Sequence, residues 1–189
     1  MMARDFTQPN SLGADLRALR KARGMTLAAL AARLNRSVGW LSQVERDLST
    51  LSVTDLRQIA HVLGVPVSLL FGRAAPADEA AYVVRRGARR PIGSKRAGLV
   101  EELLSPDLTD EFEVVHSTFE PQSDATEWVS RPTQEVAYLI SGRLDLEVGP
   151  HAFTIHPGDS FRIRGEAFRW ANPYDTPAVA IWVIAPPVY

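Results

Sequence analysis

Residues 26–46 have the sequence TLAALAARLNRSVGWLSQVER, and this stretch decides the fold of the first part of the chain. Its first half carries apolar residues at helical spacing. These are Leu27, Leu30, Ala31 and Leu34. Ser37 is a good N-cap for a following helix, which has an apolar inner face and a polar outer face. The stretch therefore predicts two short helices joined by a tight turn.

Helical patterning extends on both sides of this stretch. Ser52 and Asp55 resemble a capping box at the start of a fourth helix, which Gly64 is suited to end. Pro66 stands where a fifth helix would begin. Apolar residues at inward positions of the first, fourth and fifth helices are Leu12, Leu16, Leu19, Leu56, Ile59, Ala60, Leu63, Leu69, Leu70 and Phe71. Residues 11–72 are therefore predicted to form an all-α bundle of five helices.

The periodicity changes after residue 81. Residues 73–81 have no periodicity and include Pro76, which is typical of a linker. From Tyr82 onward, short runs rich in Val, Ile, Phe and Trp are broken by Gly, Pro and Asp, as in antiparallel sandwiches and barrels. The predicted strands are Tyr82–Arg85, Glu111–Phe119, Glu135–Ser141, Leu144–Val148, Ala152–Ile155, Ser160–Ile163 and Val179–Ala185. Residues 82–189 are therefore predicted to form a separate all-β domain.

Charge is divided unevenly along the chain. Residues 1–73 hold 10 Lys and Arg against 5 Asp and Glu, whereas residues 74–189 hold 11 against 17. This division predicts that only the first part meets a polyanion. The chain has no cysteine, which excludes disulfides, thiolate metal ligands and thiol-based redox sensing. The tail at residues 1–10 lacks the apolar run of a signal peptide, so we expect a cytoplasmic protein without membrane contacts.

Four segments of the helical region match one family in sequence and spacing. They are Leu16–Thr26, Leu30–Leu34, Leu41–Arg46 and Leu63–Pro66. They resemble the Xre-type, phage-repressor-like helix-turn-helix family, and the resemblance covers residues 11–72. It implies binding to double-stranded operator DNA through the third helix, and an ion pair between Arg20 and Glu45 that joins the first helix to the third. The sequence departs from the family at Asp47, where a glycine is usual. The alternative for these residues is a purely structural bundle or a protein-docking module.

The resemblance implies base contacts from the start of the third helix and from one later position. Val38 and Gly39 occupy the first contact positions and Gln43 the later one. A glutamine amide can pair with adenine through two hydrogen bonds. Trp40 and Ser42 lie on the same side, although Trp40 has the alternative of packing against the second helix. Phosphate contacts, which position a protein without reading sequence, are expected from Ser37, Asn35, Arg36 and Arg46.

Three segments of the β-rich region match a second family. They are Glu135–Gly149, His156–Ile163 and Phe168–Asn172. They resemble the cupin family, and the resemblance covers residues 82–189. It implies a double-sheet jelly-roll barrel with a pocket at one mouth. Many cupins bind a metal through a His-x-His pair, a glutamate and a further histidine, because alternate residues of a strand face one side.

The metal-binding positions of the cupin family are altered in this chain. The glutamate is present as Glu135, but Val129 and Arg131 stand at the paired histidines, and Phe168 (or Arg169 if the register shifts by one) at the third. The carboxylate of Glu135 with a single imidazole, that of His116, is a poor metal site. We therefore expect a pocket without metal or other cofactor. The expected ligand-binding residues are Arg131, Glu135, Phe168, Trp170, Trp128 and His116. Arginine with aromatic rings suits a small anion or zwitterion, and a lone glutamate an amine. The alternative is that Arg131 pairs with Glu135 while the rings fill the barrel.

The two resemblances predict a DNA-binding transcriptional regulator, not an enzyme, whose cupin domain binds a small-molecule effector. A homodimer is expected, because two recognition helices about 34 Å apart can read successive turns of a pseudo-palindrome. Two other functions stay open on the sequence. One is a metal-dependent cupin enzyme with a DNA-binding appendage, and the other is an antitoxin-like module whose β domain binds a protein.

Overall fold

The computed structural model describes residues 11–70, 79, 82–92, 98–106, 108 and 110–188. In that part of the chain the helices are α1 (Leu12–Ala22), α2 (Leu27–Arg33), α3 (Val38–Val44), α4 (Val53–Leu63) and α5 (Val67–Leu70). The predicted five-helix bundle is thereby confirmed. The chain divides into two compact units. One consists of Met1–Arg90, Pro106–Asp110 and Tyr189, and the other of Pro91–Ser105 and Glu111–Val188.

Hydroxyl side chains begin the first four helices of the described chain. The side-chain oxygens of Ser11, Thr26, Ser37 and Ser52 each accept a hydrogen bond from the backbone N–H three residues further on. Each bond satisfies an N–H that has no partner inside the helix. Ser52 and Asp55 form the predicted reciprocal capping box, and Gly64 ends α4 in the left-handed conformation at φ +69°.

Leucine and isoleucine side chains form the core of the helical unit. The fully buried members are Leu16, Leu19, Leu30, Leu41, Ile59, Leu63 and Leu69. They come from all five described helices, at the inward positions that the helical periodicity indicates. Burial of each side chain this size contributes about 2 kcal/mol. Phe71 and nearly all of the predicted linker, residues 73–78, 80 and 81, lie outside the described residues.

The β-rich part of the chain forms two packed sheets. Its strands are β1 (Arg90–Pro91), β2 (Leu99–Leu103), β3 (Glu113–Phe119), β4 (Ser123–Asp124), β5 (Gln134–Ser141), β6 (Leu144–Val148), β7 (His151–Ile155), β8 (Ser160–Ile163), β9 (Phe168–Asn172) and β10 (Ala178–Ala185). In the described chain the first sheet has the order β1-β2-β3-β10-β5-β8 and the second the order β4-β9-β6-β7. This is the double-sheet barrel that the cupin resemblance implies.

Alternation along the strands builds the barrel core. Every second residue of β3, β5, β9 and β10 is buried, because successive side chains of a strand point to opposite faces. The inward residues include Val115, Phe119, Ala137, Leu139, Leu144, Leu146, Ile163, Phe168, Trp170, Trp182 and Ile184. The interior between the sheets is therefore filled largely by apolar side chains.

The predicted strand Tyr82–Arg85 is wrong. This segment follows a turn in which the backbone N–H groups of Tyr82 and Val83 donate to the carbonyl of Glu79, and Arg85 pairs with the Glu79 carboxylate. Its polar groups are satisfied locally, and the segment belongs to neither sheet. Four strands were not predicted. They are the short β1 and β4, the charged β2 and the alternating β9.

No helix among the described residues combines the length and the apolar character that crossing a bilayer requires.

Candidate nucleic-acid interface and candidate ligand site

Helix α3 has the two-faced character that its sequence predicts. Leu41 and Val44 are buried in the bundle, whereas Val38, Gly39 and Gln43 are exposed. Val38 is 47 % exposed although it is apolar. A Cβ added at Gly39 would meet no atom within 4 Å, so the surface at this position is open. The three predicted base-contact positions therefore lie free on one exposed helix face.

The start of α3 is held by side chains of the predicted interface. Ser37 caps the helix by accepting a hydrogen bond from the N–H of Trp40 (3.1 Å). The Arg36 guanidinium lies over the Trp40 ring, 5.1 Å from its centroid, and donates to Asp55 Oδ1 (2.8 Å). The pKa of Asp55 is lowered, first by its hydrogen bonds from Ser52 and also by Arg36. Arg36 is thus oriented by two partners, and Trp40 is half-buried beneath it.

Arg46, another of the predicted phosphate contacts, lies just after the end of α3. The Nε of Arg46 donates to the backbone carbonyl of Ser42 (3.2 Å), and the side chain lies at the surface. Ser42 is half-buried and Arg46 exposed. The structure therefore brings the nine predicted contact residues, including the exposed Asn35 that precedes the helix, together around α3. Their contact with DNA stays a prediction.

A buried ion pair braces α3 against α1, as the resemblance implies. The Arg20 guanidinium donates through Nε to Glu45 Oε1 (2.6 Å) and through a terminal nitrogen to Glu45 Oε2 (2.8 Å). A third bond from Arg20 reaches the carbonyl of Met25 (2.8 Å). The hydrogen bond with Glu45 raises the pKa of Arg20. The pair uses both carboxylate oxygens, so it fixes the direction of α3 as well as its position.

Asp47 has a structural role that the sequence did not reveal. It adopts the left-handed conformation at φ +57°, where the family usually has glycine. Its Oδ1 accepts a hydrogen bond from the backbone N–H of Gly13 (2.8 Å). A Cβ at Gly13 would lie 2.5 Å from the carbonyl oxygen of Val44. The end of α3 therefore packs directly on the start of α1, and Asp47 closes that contact.

In the barrel, the predicted aromatic residues fill the interior. Phe168 and Trp170 are buried. The Trp170 ring packs edge-on against Phe119, with centroids 4.7 Å apart, and Phe168 lies 6.2 Å from Trp182. These rings form part of the packed core, which agrees with the alternative that the rings fill the barrel.

Two predicted ligand residues face away from the interior. His116 alternates with the buried Val115 and Ser117 of β3, so its side chain lies on the outer face. Trp128 is 45 % exposed, and its ring is contacted by the guanidinium of Arg169 at 5.0 Å. Arg169 itself alternates with the buried residues of β9. The expectation that His116 and Trp128 line the pocket is therefore wrong.

Arg131 and Glu135 do lie together at one end of the barrel. An Arg131 terminal nitrogen is 3.9 Å from Glu135 Oε1, at the limit of an ion pair, and the Arg131 side chain is 34 % exposed. Glu135 is buried, and its Oε1 accepts a hydrogen bond from Thr133 Oγ1 (2.6 Å). The carboxylate is thus held by neighbours on its own chain segment.

These residues do not fit the metal that many cupins bind. Apart from Glu135, the metal-binding positions of the cupin family are occupied here by Val129, Arg131 and Phe168. None of these side chains donates an electron pair to a metal. In the described part of the chain, no three His, Cys, Asp or Glu side chains cluster closely enough to hold an ion.

Glu113 is a second buried carboxyl at the same end of the barrel, and the sequence analysis missed it. It is the first residue of β3 and is 2 % exposed. Its Oε1 accepts a hydrogen bond from the N–H of Val188 (3.2 Å), while Oε2 has no partner among the described residues. Burial raises the pKa of Glu113 to about 7, with Glu101 and Glu135 acting in the same direction against Arg131 and the Val188 bond. Its alternation with Val115 is the sequence signal that places it inward.

A groove of about 650 Å³ lies on the four-stranded sheet. Its principal polar groups are already paired with one another. Asp145 Oδ1 accepts hydrogen bonds from Thr154 and Tyr174 (both 2.9 Å), and Glu147 accepts one from Arg169 (2.9 Å). Asp145 and Glu147 of the groove are therefore both engaged by neighbouring side chains.

Comparison with known proteins finds a domain match in each half of the chain. Residues 11–70 match the model of a helix-turn-helix domain, and residues 115–184 match that of the cupin domain. The chain is similar to an immunity repressor protein of Bacillus phage phi105, at 27 % identity over 128 residues that cover 67 % of this chain and 89 % of the relative.

Two solved structures that the comparison matches to this chain have low identity to it. A helix-turn-helix family transcriptional regulator from Vibrio cholerae has a TM-score of 0.44 and 20 % identity, covering 94 % of this chain and 96 % of that one. Hydroxypropylphosphonic acid epoxidase from S. wedmorenis has a TM-score of 0.47 and 17 % identity, covering 95 % and 98 %. The two domain matches show that the chain carries a helix-turn-helix domain followed by a cupin domain, and together with the phage relative they support its likeness to the Xre-type helix-turn-helix transcriptional regulators.

Proposed function

We propose that this regulator binds operator DNA by inserting the exposed face of α3 into the major groove. The observation that carries the proposal is the open surface formed by Val38, Gly39 and Gln43 between two arginine-bearing helix ends. An amide and a methyl-bearing side chain suit direct reading of base edges, and Arg36 and Arg46 suit the flanking phosphates. The similarity to a phage immunity repressor supports the same role.

The test is titration of the full chain with duplexes enriched from a random pool, at several salt concentrations. We expect one sequence to bind about 10³-fold or more tightly than random duplex, with affinity falling as salt rises. Absence of any duplex affinity in dilute salt would refute the proposal. Binding to an operator would place the protein in the cytoplasm.

The barrel is proposed to bind a small-molecule effector, without a resident metal and without catalysis. Arg131 and Glu135 supply charged groups beside an apolar interior, and Arg131 reaches solvent. An effector alters DNA affinity only as far as it binds the DNA-competent and incompetent states differently. Elemental analysis of protein purified without chelator tests the metal statement, since stoichiometric zinc, iron, manganese or nickel bound in the barrel would contradict it.

A homodimer through the cupin domain is part of the same proposal. Val136, Tyr138 and Ile140 of β5 and Val183 of β10 are each between 44 % and 50 % exposed. They share the outer face of the six-stranded sheet, where Val136 lies opposite Val183 and is flanked on β8 by Arg162. Contiguous apolar strips of this kind are rare on monomeric proteins. We propose that a second copy of the chain covers this strip, which presents two recognition helices to one operator.

A further inference from the structure

Two buried carboxyl groups project from the six-stranded sheet into the barrel in a single layer, one on each strand that flanks β10. In the strand register, Ile184 of β10 lies opposite Glu113 of β3 on one side and opposite Glu135 of β5 on the other. All three residues are buried on the inner face. Because neighbouring strands lie about 5 Å apart, the Cα atoms of the two glutamates are separated by about 10 Å. Their side chains can therefore approach one small group from two sides.

When Glu113 is ionised, the layer carries more negative charge than its own residues neutralise. The Arg131 guanidinium lies 3.9 Å from Glu135 and can balance one carboxylate. Glu113 receives one backbone hydrogen bond, from Val188, and its second oxygen has no partner among the described residues. A buried carboxyl oxygen without a donor is costly to keep. The layer thus lacks one donor, at Glu113.

Next to this layer, Trp182 and its aromatic neighbours form an apolar wall of the barrel. Two residues along β10 from Ile184 lies Trp182, whose register partners are Val115 and Ala137. The Trp182 ring is contacted edge-on by Phe161, with centroids 5.2 Å apart, and lies 6.2 Å from Phe168. Alkyl groups pack well on such rings, and a cation next to an aromatic face gains further attraction.

We propose that Glu113 and Glu135 bind the cationic head of a small organic ammonium or guanidinium compound, whose alkyl part lies toward Trp182. The ammonium supplies the donor that Glu113 lacks and balances the second carboxylate. Arg131, which is partly exposed, marks the side from which the head would enter. This inference rests on the proposed effector role of the barrel and narrows it to cations. A free anion is disfavoured, because it would meet two carboxylates and only one guanidinium.

Ligand-observed NMR with n-butylammonium tests the inference on the full chain. Butyrate and n-butanol serve as probes of equal size. A fragment this small should bind with about millimolar affinity. We expect saturable binding of the ammonium only, weakened about tenfold or more by Glu113→Gln and by Glu135→Gln, since each change removes one charge-assisted hydrogen bond. Both variants keep the side-chain shape, and their melting temperatures verify that they fold. Glu147→Gln, in the groove on the four-stranded sheet, is the matched control.

Three results would overturn the inference. They are butyrate binding in place of the ammonium, full ammonium affinity in Glu113→Gln, and no saturable ammonium signal at all. Loss of binding in Glu147→Gln alone would assign the cation to the groove and overturn it as well. The proposed DNA-binding function is measured separately, by duplex titration of the unaltered chain. Failure of the cation site therefore leaves that function standing, whereas failure of duplex binding does not affect the NMR result.

Discussion

The carboxylate of Asp47, just after the end of α3, accepts a hydrogen bond from the backbone N–H of Gly13 in the first turn of α1. This N–H has no acceptor within its own helix, so Asp47 acts as a cap supplied by a residue 34 positions away. The same residue adopts the left-handed conformation that the family usually assigns to glycine. The side chain of Asp47 thus caps α1, while its backbone adopts a conformation that is unfavourable for residues other than glycine.

Replacement of Asp47 should separate these two effects. Asp47→Ala removes the cap and leaves a Cβ in the left-handed region, so we expect a loss of about 1–3 kcal/mol in unfolding free energy. Asp47→Gly loses the same bond but relieves the backbone, and should cost less than the alanine variant. Urea denaturation followed by helical circular dichroism measures both. Asp47→Asn, which keeps an acceptor oxygen, is the matched control. Equal stability of the alanine variant and the parent would contradict the capping role.

Gln43→Ala tests the direct reading of bases by α3. We expect preference at one base position to relax by about 1–3 kcal/mol, while binding to random duplex is unchanged. Gln43 is exposed, and alanine keeps its backbone hydrogen bonds, so this substitution should leave the fold intact. Selection of bound sequences from a randomised pool measures the effect. Arg46→Ala is the companion variant, because loss of a phosphate contact should weaken every duplex alike and reduce the salt slope by about one. Uniform weakening by Gln43→Ala would show that Gln43 only positions the helix.

The helices and their caps could be predicted because their signals are local. Ser37 and Ser52 bond to backbone N–H groups three residues away, and the inward leucines recur at helical spacing. The β-rich half was predicted less completely. Strand β2 contains Glu101 and Glu102 in succession, which interrupts the alternation that identifies a strand. Glu101 accepts a hydrogen bond from Ser117 on β3, a partner that only the fold supplies.

The barrel site likewise depends on contacts between residues that are distant in the sequence. Alternation from Val115 and Phe119 on β3 would have been enough to place His116 outward and Glu113 inward, although the sequence analysis assigned His116 to the ligand site and missed Glu113. What the sequence could not provide was the neighbour of Glu113, because β10 follows some 60 residues later and brings Ile184, and through it Glu135, into the same layer. Trp128 was misplaced for a related reason, since its partner Arg169 becomes visible only when β9 is recognised as a strand.

Tyr138→Arg tests the proposed dimer. The residue is 50 % exposed at the centre of the apolar strip on the six-stranded sheet. A guanidinium facing the same guanidinium across a two-fold interface is desolvated and repelled, so we expect the chain to become monomeric. Light scattering coupled to size exclusion measures the mass. Phe153→Arg is the matched control, because Phe153 is equally exposed, at 50 %, on the other sheet. A dimer that survives Tyr138→Arg would assign the interface elsewhere.

The buried carboxyl of Glu113 should make the stability of the barrel depend on pH. Its pKa is raised from 4.5 to about 7, chiefly by burial, with Glu101 and Glu135 adding to the rise and Arg131 opposing it. A raised pKa means that the folded chain holds the proton when the unfolded chain has released it. Stability therefore falls as pH rises from the unfolded value toward 7, and the loss is complete above it.

Glu113→Gln has no titratable group at this position. Its free energy of unfolding should therefore rise relative to that of the parent by about 2–3 kcal/mol over this pH range. The two proteins should differ little at acid pH, where the parent carboxyl is neutral in both states. Urea denaturation followed by the fluorescence of the buried Trp170 and Trp182 measures the barrel directly. Glu166→Gln, an exposed position whose pKa is lowered by the backbone N–H of Arg164, is the opposite control and should lose stability relative to the parent as pH rises. If the free energies of unfolding of Glu113→Gln and the parent differed by the same amount from acid to alkaline pH, burial would not raise the pKa of Glu113.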